Sequence, residues 1–128
     1  EKVPIIITPG ISKYRESFRA AFDDQRTAGN RCVASSTRLM FIGYGFNDDH
    51  LEQQICPGLK VTKPSVIVAK DLSDNAKLLI KNSTQTRVIA LSTVSNTDAR
   101  TSILVTGHEE LIVDEPLWHL EGFNKGIL

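Results

Sequence analysis

The chain has 128 residues, of which 41% are hydrophobic and 23% are charged, a composition typical of one globular domain. Its 15 basic residues balance its 15 acidic residues, so no net charge draws the chain to nucleic acid or to an anionic membrane. Cys32 and Cys56 lack the paired spacing of a zinc site, and no segment has the pattern of a signal peptide or a membrane span. We therefore predict reduced structural cysteines and a cytoplasmic protein without a metal, membrane or nucleic-acid partner.

The first 36 residues predict a strand followed by a helix. Val3 to Thr8 is an apolar, β-branched run that ends at Pro9-Gly10, which is typical of a buried strand. Ser12 is a suitable N-cap for a helix with apolar residues at helical spacing. We expect that helix to end at Ala28-Gly29-Asn30 and a short helical turn to follow at Cys32–Ser36.

Residues 39–91 predict an alternation of strands and helices. Three short apolar runs lack polar alternation, as strands buried on both faces do, and they are Leu39–Ile42, Ser65–Ala69 and Arg87–Leu91. Helices are expected between them, at Asp48–Ile55 and after the N-cap Ser73, where Ala76, Leu79 and Ile80 share one face. This rhythm predicts right-handed crossovers and a mostly parallel sheet.

The last 37 residues predict a loop, a hairpin and a helix. Ser92–Arg100 is polar and is predicted as a loop. Ile103–Val105 and Leu111–Val113 flank a turn containing Gly107 and predict a hairpin. Pro116–Phe123 predicts a final helix. The predicted fold is therefore α/β: a Rossmann-like three-layer arrangement with helices on both faces of a mostly parallel sheet, plus a C-terminal hairpin and helix.

The glycine turn after Ile42 is the most informative segment. Gly43 and Gly45 allow a sharp turn and close approach of a ligand to the backbone. The third glycine of the dinucleotide fingerprint would fall at Asp48, which is followed by Asp49. One carboxylate repels a phosphate by on the order of 4 kcal/mol at ~4 Å and an effective dielectric of ~20. The turn therefore favours ribose hydroxyls over pyrophosphate. Alternatively, Asn47 or Asp48 merely caps the next helix.

Residues 41–51, Phe-Ile-Gly-Tyr-Gly-Phe-Asn-Asp-Asp-His-Leu, resemble the late glycine motif of the sirtuin-like domains of prokaryotic NAD-hydrolysing defence proteins. In that family an apolar strand ends in Gly-Tyr-Ser or Gly-Tyr-Gly, and an aromatic or aliphatic residue and an aspartate follow. The motif is the counterpart of the Gly-Thr-Ser segment of true sirtuins. The opening strand with Thr8 and Tyr14, and the closing Pro116-Leu117-Trp118 with Phe123, resemble the family in the same order.

This resemblance implies that the chain binds NAD as a substrate. Gly43, Tyr44 and Gly45 would line the adenosine-ribose part of the site, with Phe46 and Asp48 nearby. Glycine at position 45 replaces the serine of sirtuins, so a backbone contact would replace a hydroxyl contact. No catalytic residue is assigned, because the family's first glycine motif, its Asn-Asp pair and its catalytic histidine would all precede the first residue.

We therefore expect residues 1–128 to form a single, partial sirtuin-like Rossmann-type domain without its N-terminal catalytic part. The absence of methionine at Glu1 agrees with this expectation. His50, His108 and His119 are expected in surface or packing roles. Asp48-Asp49-His50 lacks the distant partners that a metal site needs.

The function expected from these features is the NAD-binding portion of an NAD hydrolase that depletes NAD in anti-phage defence. The chain alone is expected to be inactive, with the missing half of the domain or further copies of the chain as partners. A non-catalytic nucleotide-binding sensor and an assembly module are the alternatives. Hydrolase, cyclase and deacylase activities of the whole protein all remain open.

Overall fold

The computed structural model describes residues 20–47, 63–83, 87–95 and 97–126. The predicted strand at 3–8, the start of the first helix at Ser12 and the predicted helix at 48–55 lie outside these residues. The chain separates into two compact units, Glu1–Ser35 and Ser36–Leu128. In the first unit, helix α1 (Ala20–Ser35) continues through Gly29, where the pattern predicted its end. One glycine costs a helix only about 1 kcal/mol relative to alanine, which is too little to terminate it.

The second unit contains a five-stranded sheet in the order β1-β2-β3-β4-β5. The strands are β1 (Leu39–Ile42), β2 (Ser65–Val68), β3 (Val88–Val94), β4 (Thr97–Val105) and β5 (Leu111–Val113). The first three strands are parallel, whereas β4 and β5 are antiparallel to their neighbours. The α/β class is confirmed, but the prediction of a mostly parallel sheet is wrong, because the sheet is mixed.

Residues 92–100, predicted as a loop, account for this error. Residues 92–94 are the end of β3 and residues 97–100 are the start of β4, and the two strands pair antiparallel with a register shift between Thr93 and Val94. The segment is polar because part of it faces solvent, yet its threonines are β-branched and suit a pleated strand. The predicted hairpin of β4 and β5 is confirmed, with Ile103 opposite Leu111.

Two core clusters lie on opposite faces of the sheet. Helix α2 (Asp74–Asn82) begins at its predicted N-cap, where Ser73 Oγ accepts a hydrogen bond from Ala76 N at 3.1 Å. Its buried face packs with strand residues in the first cluster, which includes Ala76, Leu79, Ile80, Ile67, Val88 and Ala90. The second cluster joins Val68 and Leu91 to Phe123 of helix α3 (Leu120–Gly126). Because successive strand residues point to opposite faces, α2 and Phe123 contact the sheet from opposite sides.

Helix α3 begins at Leu120, four residues later than the predicted start at Pro116. The preceding residues are held as a turn by Thr101, whose Oγ1 accepts a hydrogen bond from Leu117 N at 2.7 Å. His119 then caps the helix, because its Nδ1 accepts a hydrogen bond from Gly122 N at 3.0 Å. Among the described residues, no helix combines the length and apolar character needed to cross a membrane.

Candidate functional site

The predicted glycine turn lies at the carboxyl ends of two parallel strands. It follows β1 directly, and Gly43 N donates a hydrogen bond to Val68 O, the last residue of β2, at 2.8 Å. This bond extends the parallel ladder by one residue before the chain turns away. The crevice outside the carboxyl ends of parallel strands is where open α/β sheets bind their ligands. The turn is therefore placed where a ligand site is expected.

Gly43 has the backbone geometry that the sequence pattern anticipated. Its φ is +63°, in the left-handed region that glycine adopts at no steric cost. No described atom lies within 4 Å of the position that a Cβ would occupy. As far as the described residues show, the space beside this residue is open and leaves the main chain accessible to a ligand.

Gly45 serves a different purpose. A Cβ at this position would lie 2.9 Å from Nδ2 of Asn47, so the missing side chain lets the Asn47 amide fold over the turn. Glycine is therefore needed here for packing within the turn. The side chain of Asn47 remains exposed at its surface.

The aromatic residues of the turn belong to the core. Phe46 is only 1% exposed, and its ring centroid lies 4.8 Å from that of Tyr44 and 5.0 Å from that of Phe41. Its φ of +53° turns the side chain inward from an exposed loop. The backbone of Phe46, one of the predicted site residues, therefore lies near the candidate site, whereas its ring packs beneath the turn.

Hydrogen bonds from the amino end of α2 stabilise the glycine turn. Ser73 Oγ donates a hydrogen bond to Gly45 O while it caps the helix. Asn75 Nδ2 donates to Phe46 O at 2.9 Å and to Asn47 Oδ1 at 3.0 Å. Two carbonyls of the turn thereby each accept a hydrogen bond from α2 or its cap. The sequence indicated that Ser73 caps a helix, but it gave no signal that the side chains of Ser73 and Asn75 hold the glycine turn.

The structure brings four of the five predicted site residues together, at positions 43–46. Asp48, together with Asp49 and His50, lies outside the described residues. The other two histidines are elsewhere: His108 follows β4 near the amino end of β3, and His119 caps α3. Within the described part of the chain, no three metal-binding side chains come together. The described turn can therefore position a ligand, but it offers no acid–base pair to transform it.

Comparison of the chain with protein-family models, with curated proteins and with solved structures found no match. The features that mark the turn as a candidate site are therefore its own geometry and the resemblance of residues 41–51.

Proposed function

We propose that this chain is the NAD-binding portion of a sirtuin-like NAD hydrolase, which depletes NAD in anti-phage defence. Gly43 provides the strongest structural support. It combines a left-handed backbone with open space at the carboxyl edge of two parallel strands. Such a position admits close contact between ligand and main chain. The resemblance of residues 41–51 to the sirtuin-like glycine motif is the reason for naming NAD as that ligand.

In this proposal the turn binds the adenosine ribose of NAD. The ribose hydroxyls lie against the backbone at Gly43 and Gly45 and against the exposed amide of Asn47. The diphosphate lies farther away, because Asp48 and Asp49 would repel it. A neutral, hydroxyl-bearing part of the cofactor thus occupies the position where a complete dinucleotide fingerprint would hold the pyrophosphate.

The chemical step requires groups beyond the described turn. Cleavage of the nicotinamide–ribose bond passes through an oxocarbenium-like state and needs a positioned base or water. The turn contributes orientation and binding energy instead. We therefore expect the chain alone to bind NAD without releasing nicotinamide.

The proposal includes a Rossmann-like three-layer arrangement of the whole domain, with helices on both faces. The two core clusters favour it, because Ala76 of α2 and Phe123 of α3 pack on opposite sides of the sheet. The two parallel crossover connections from β1 to β2 and from β2 to β3 are also typical of such folds.

Strand β5 favours a second candidate, an assembly module that forms a homo-oligomer. Within the described residues β5 pairs only with β4, and its Leu111 and Ile112 are 58% and 43% exposed. Apolar residues on an open sheet edge favour pairing with another chain. A nucleotide sensor, by contrast, would share the first candidate's NAD site and would differ in releasing no nicotinamide from the whole protein.

The variant Gly43→Asn tests the NAD site. Asparagine tolerates the left-handed region, so the fold should be retained. Its side chain would fill the open space beside the main chain and exclude the ribose. We expect the affinity for NAD, measured by isothermal titration calorimetry on the chain, to fall at least about tenfold.

Gly107→Asn is the matched control. Gly107 also has a positive φ, +75°, and a Cβ there would have no described atom within 4 Å, but it lies in the hairpin between β4 and β5. This variant should bind NAD as the unaltered chain does and should unfold at the same temperature as Gly43→Asn. Equal NAD affinity of the two variants, or no binding by the unaltered chain, would refute the site.

A further inference from the structure

A groove runs along α2 on the side opposite the glycine turn. It consists of two cavities of about 570 Å³ and about 320 Å³, and both are lined by Lys77 and Leu104. Asn75, which holds the glycine turn, and Lys77 are two residues apart on the helix. Two residues correspond to about 200° of rotation, so these side chains leave the helix in opposite directions. The groove and the turn are therefore separate features of the same helix.

The floor of the larger cavity carries two serine hydroxyls. On the α2 side, Val88 and Ala90 of β3 are followed by Ser92, and Leu104 of β4 lies two residues beyond Ser102. Ser92 and Ser102 are direct partners in the β3–β4 register. They are 6% and 5% exposed, and both line the larger cavity. Two buried hydroxyls thus stand side by side on this face, next to the apolar side chains of Ala90 and Leu104.

A carboxylate completes this end of the groove. Ser102 Oγ donates a hydrogen bond to Glu110 Oε1, and Glu110 lines the same cavity. The Ser102 oxygen keeps its lone pairs as acceptors, and Ser92 supplies a second hydroxyl that donates or accepts. A carboxylate beside hydroxyl groups is suited to binding the hydroxyls of a polyol, because each such hydroxyl both donates and accepts.

The other end of the groove carries positive charge. Lys77 and Lys81 lie one helical turn apart, and Lys81 lines the smaller cavity together with His108. Neither lysine has an ion pair among the described residues. Two cations at this spacing repel each other and destabilise a helix slightly. An anion bound between them is favoured because it attracts both lysines and because it reduces the repulsion between them.

We propose that this groove binds a phosphorylated sugar. The phosphate lies between Lys77, Lys81 and His108, and the sugar hydroxyls lie on the hydroxyl-bearing floor. The cavities fall within the size range of small-molecule sites, about 300–1,000 Å³. This site does not depend on the proposed NAD function, because none of its residues belongs to the glycine turn.

The experiment uses ribose 5-phosphate as the probe. It is titrated into the isotope-labelled chain, and binding is followed by nuclear magnetic resonance. We expect saturable shifts at the amides of Ser92, Ser102 and Gly107 that are larger than any shift at Gly43. Ribose lacks the phosphate group and inorganic phosphate lacks the sugar, so each should bind at least about tenfold more weakly than ribose 5-phosphate. Phosphate binding equal to that of ribose 5-phosphate would overturn the assignment of the hydroxyl floor.

Two variants make the test specific. Lys77→Gln should weaken binding of ribose 5-phosphate at least about tenfold, because a charge-assisted contact is lost. The control Lys125→Gln removes a lysine that pairs with Glu121 on α3 at 2.6 Å, and it should leave the affinity unchanged. Gly43→Asn should also leave it unchanged, which separates this site from the NAD site. Equal affinities of the two lysine variants, or no saturation by about 10 mM, would overturn the proposal.

Discussion

Thr101 is fully buried in β4, and its hydroxyl connects the sheet to the C-terminal segment. Its Oγ1 donates a hydrogen bond to Glu115 O at 2.6 Å and accepts one from Leu117 N at 2.7 Å. Leu117 in turn packs against the cluster that contains Phe123. A single hydroxyl therefore satisfies two backbone groups and places the approach to α3.

We expect Thr101→Val to destabilise the second unit by about 2 kcal/mol, because the side chain keeps its shape while two backbone groups lose their partner. Thr101→Ser keeps the hydroxyl and loses one methyl group, so its cost should be nearer about 1 kcal/mol. Urea denaturation of the three proteins measures both values. A serine variant less stable than the valine variant would show that packing, rather than hydrogen bonding, is the main role of this residue.

At the same scale, the candidate site could be predicted only in part. The role of Gly43 and Gly45 in the turn was predicted from the residue pattern, because a sharp turn after an apolar strand requires glycine. The place of Phe46 could not be predicted in the same way. The left-handed backbone at Gly43 and Phe46 redirects the following side chains, and no local pattern indicates which of them turns inward.

Helix α3 contains a glycine that cannot be replaced. A Cβ at Gly122 would lie 2.0 Å from the backbone oxygen of Pro116. In α1, by contrast, a Cβ at Gly29 would meet no atom of the described residues within 4 Å. Glycine is intrinsically unfavourable within both helices, so the surroundings alone decide the effect of a substitution.

The substitution to alanine should therefore have opposite signs in the two helices. Gly29→Ala should stabilise α1, by up to about 1 kcal/mol, whereas Gly122→Ala should destabilise the second unit by more than about 2 kcal/mol, because backbone must move. Thermal unfolding followed by circular dichroism measures both effects. A stabilising Gly122→Ala would mean that the contact with Pro116 is not maintained in solution.

Elements were predictable where a short apolar run or a helix cap marks them, including β1, although Met40 and Ile42 are 46% and 55% exposed and this strand is not buried on both faces as its sequence predicted. Strands β1 and β2 and helix α2 follow from short apolar runs and a capping serine. The start of β4 could not be predicted in this way, because Asp98, Ala99 and Arg100 are exposed and lie where the pairing with β3 changes register. Pairing between strands leaves no periodic signal in a polar segment. The mixed character of the sheet was missed for the same reason.

On the scale of the whole molecule, the edge strand β5, which pairs only with β4 among the described residues, should lead to self-association. Leu111→Lys places a charge on the edge strand and should shift the chain towards monomer. Leu78→Lys is the control, because Leu78 on α2 is similarly exposed, at 54%, but lies on no sheet edge. Light scattering over a range of concentrations measures the mass. An unaltered chain that stays monomeric throughout, or an equal effect of both variants, would contradict a role for β5.

Helix α2 contacts the glycine turn through Asn75 and lines the groove with Lys77. Any shift or rotation of this helix would alter both places at once. If ligands bound at each place, and if one of them favoured a particular position of α2, the free energies of binding would be coupled. Coupling of this kind is reciprocal: the factor by which the first ligand changes the affinity for the second equals the factor in the other direction. Binding at one site would then be measurable as a change in affinity at the other, transmitted through the nine-residue helix α2.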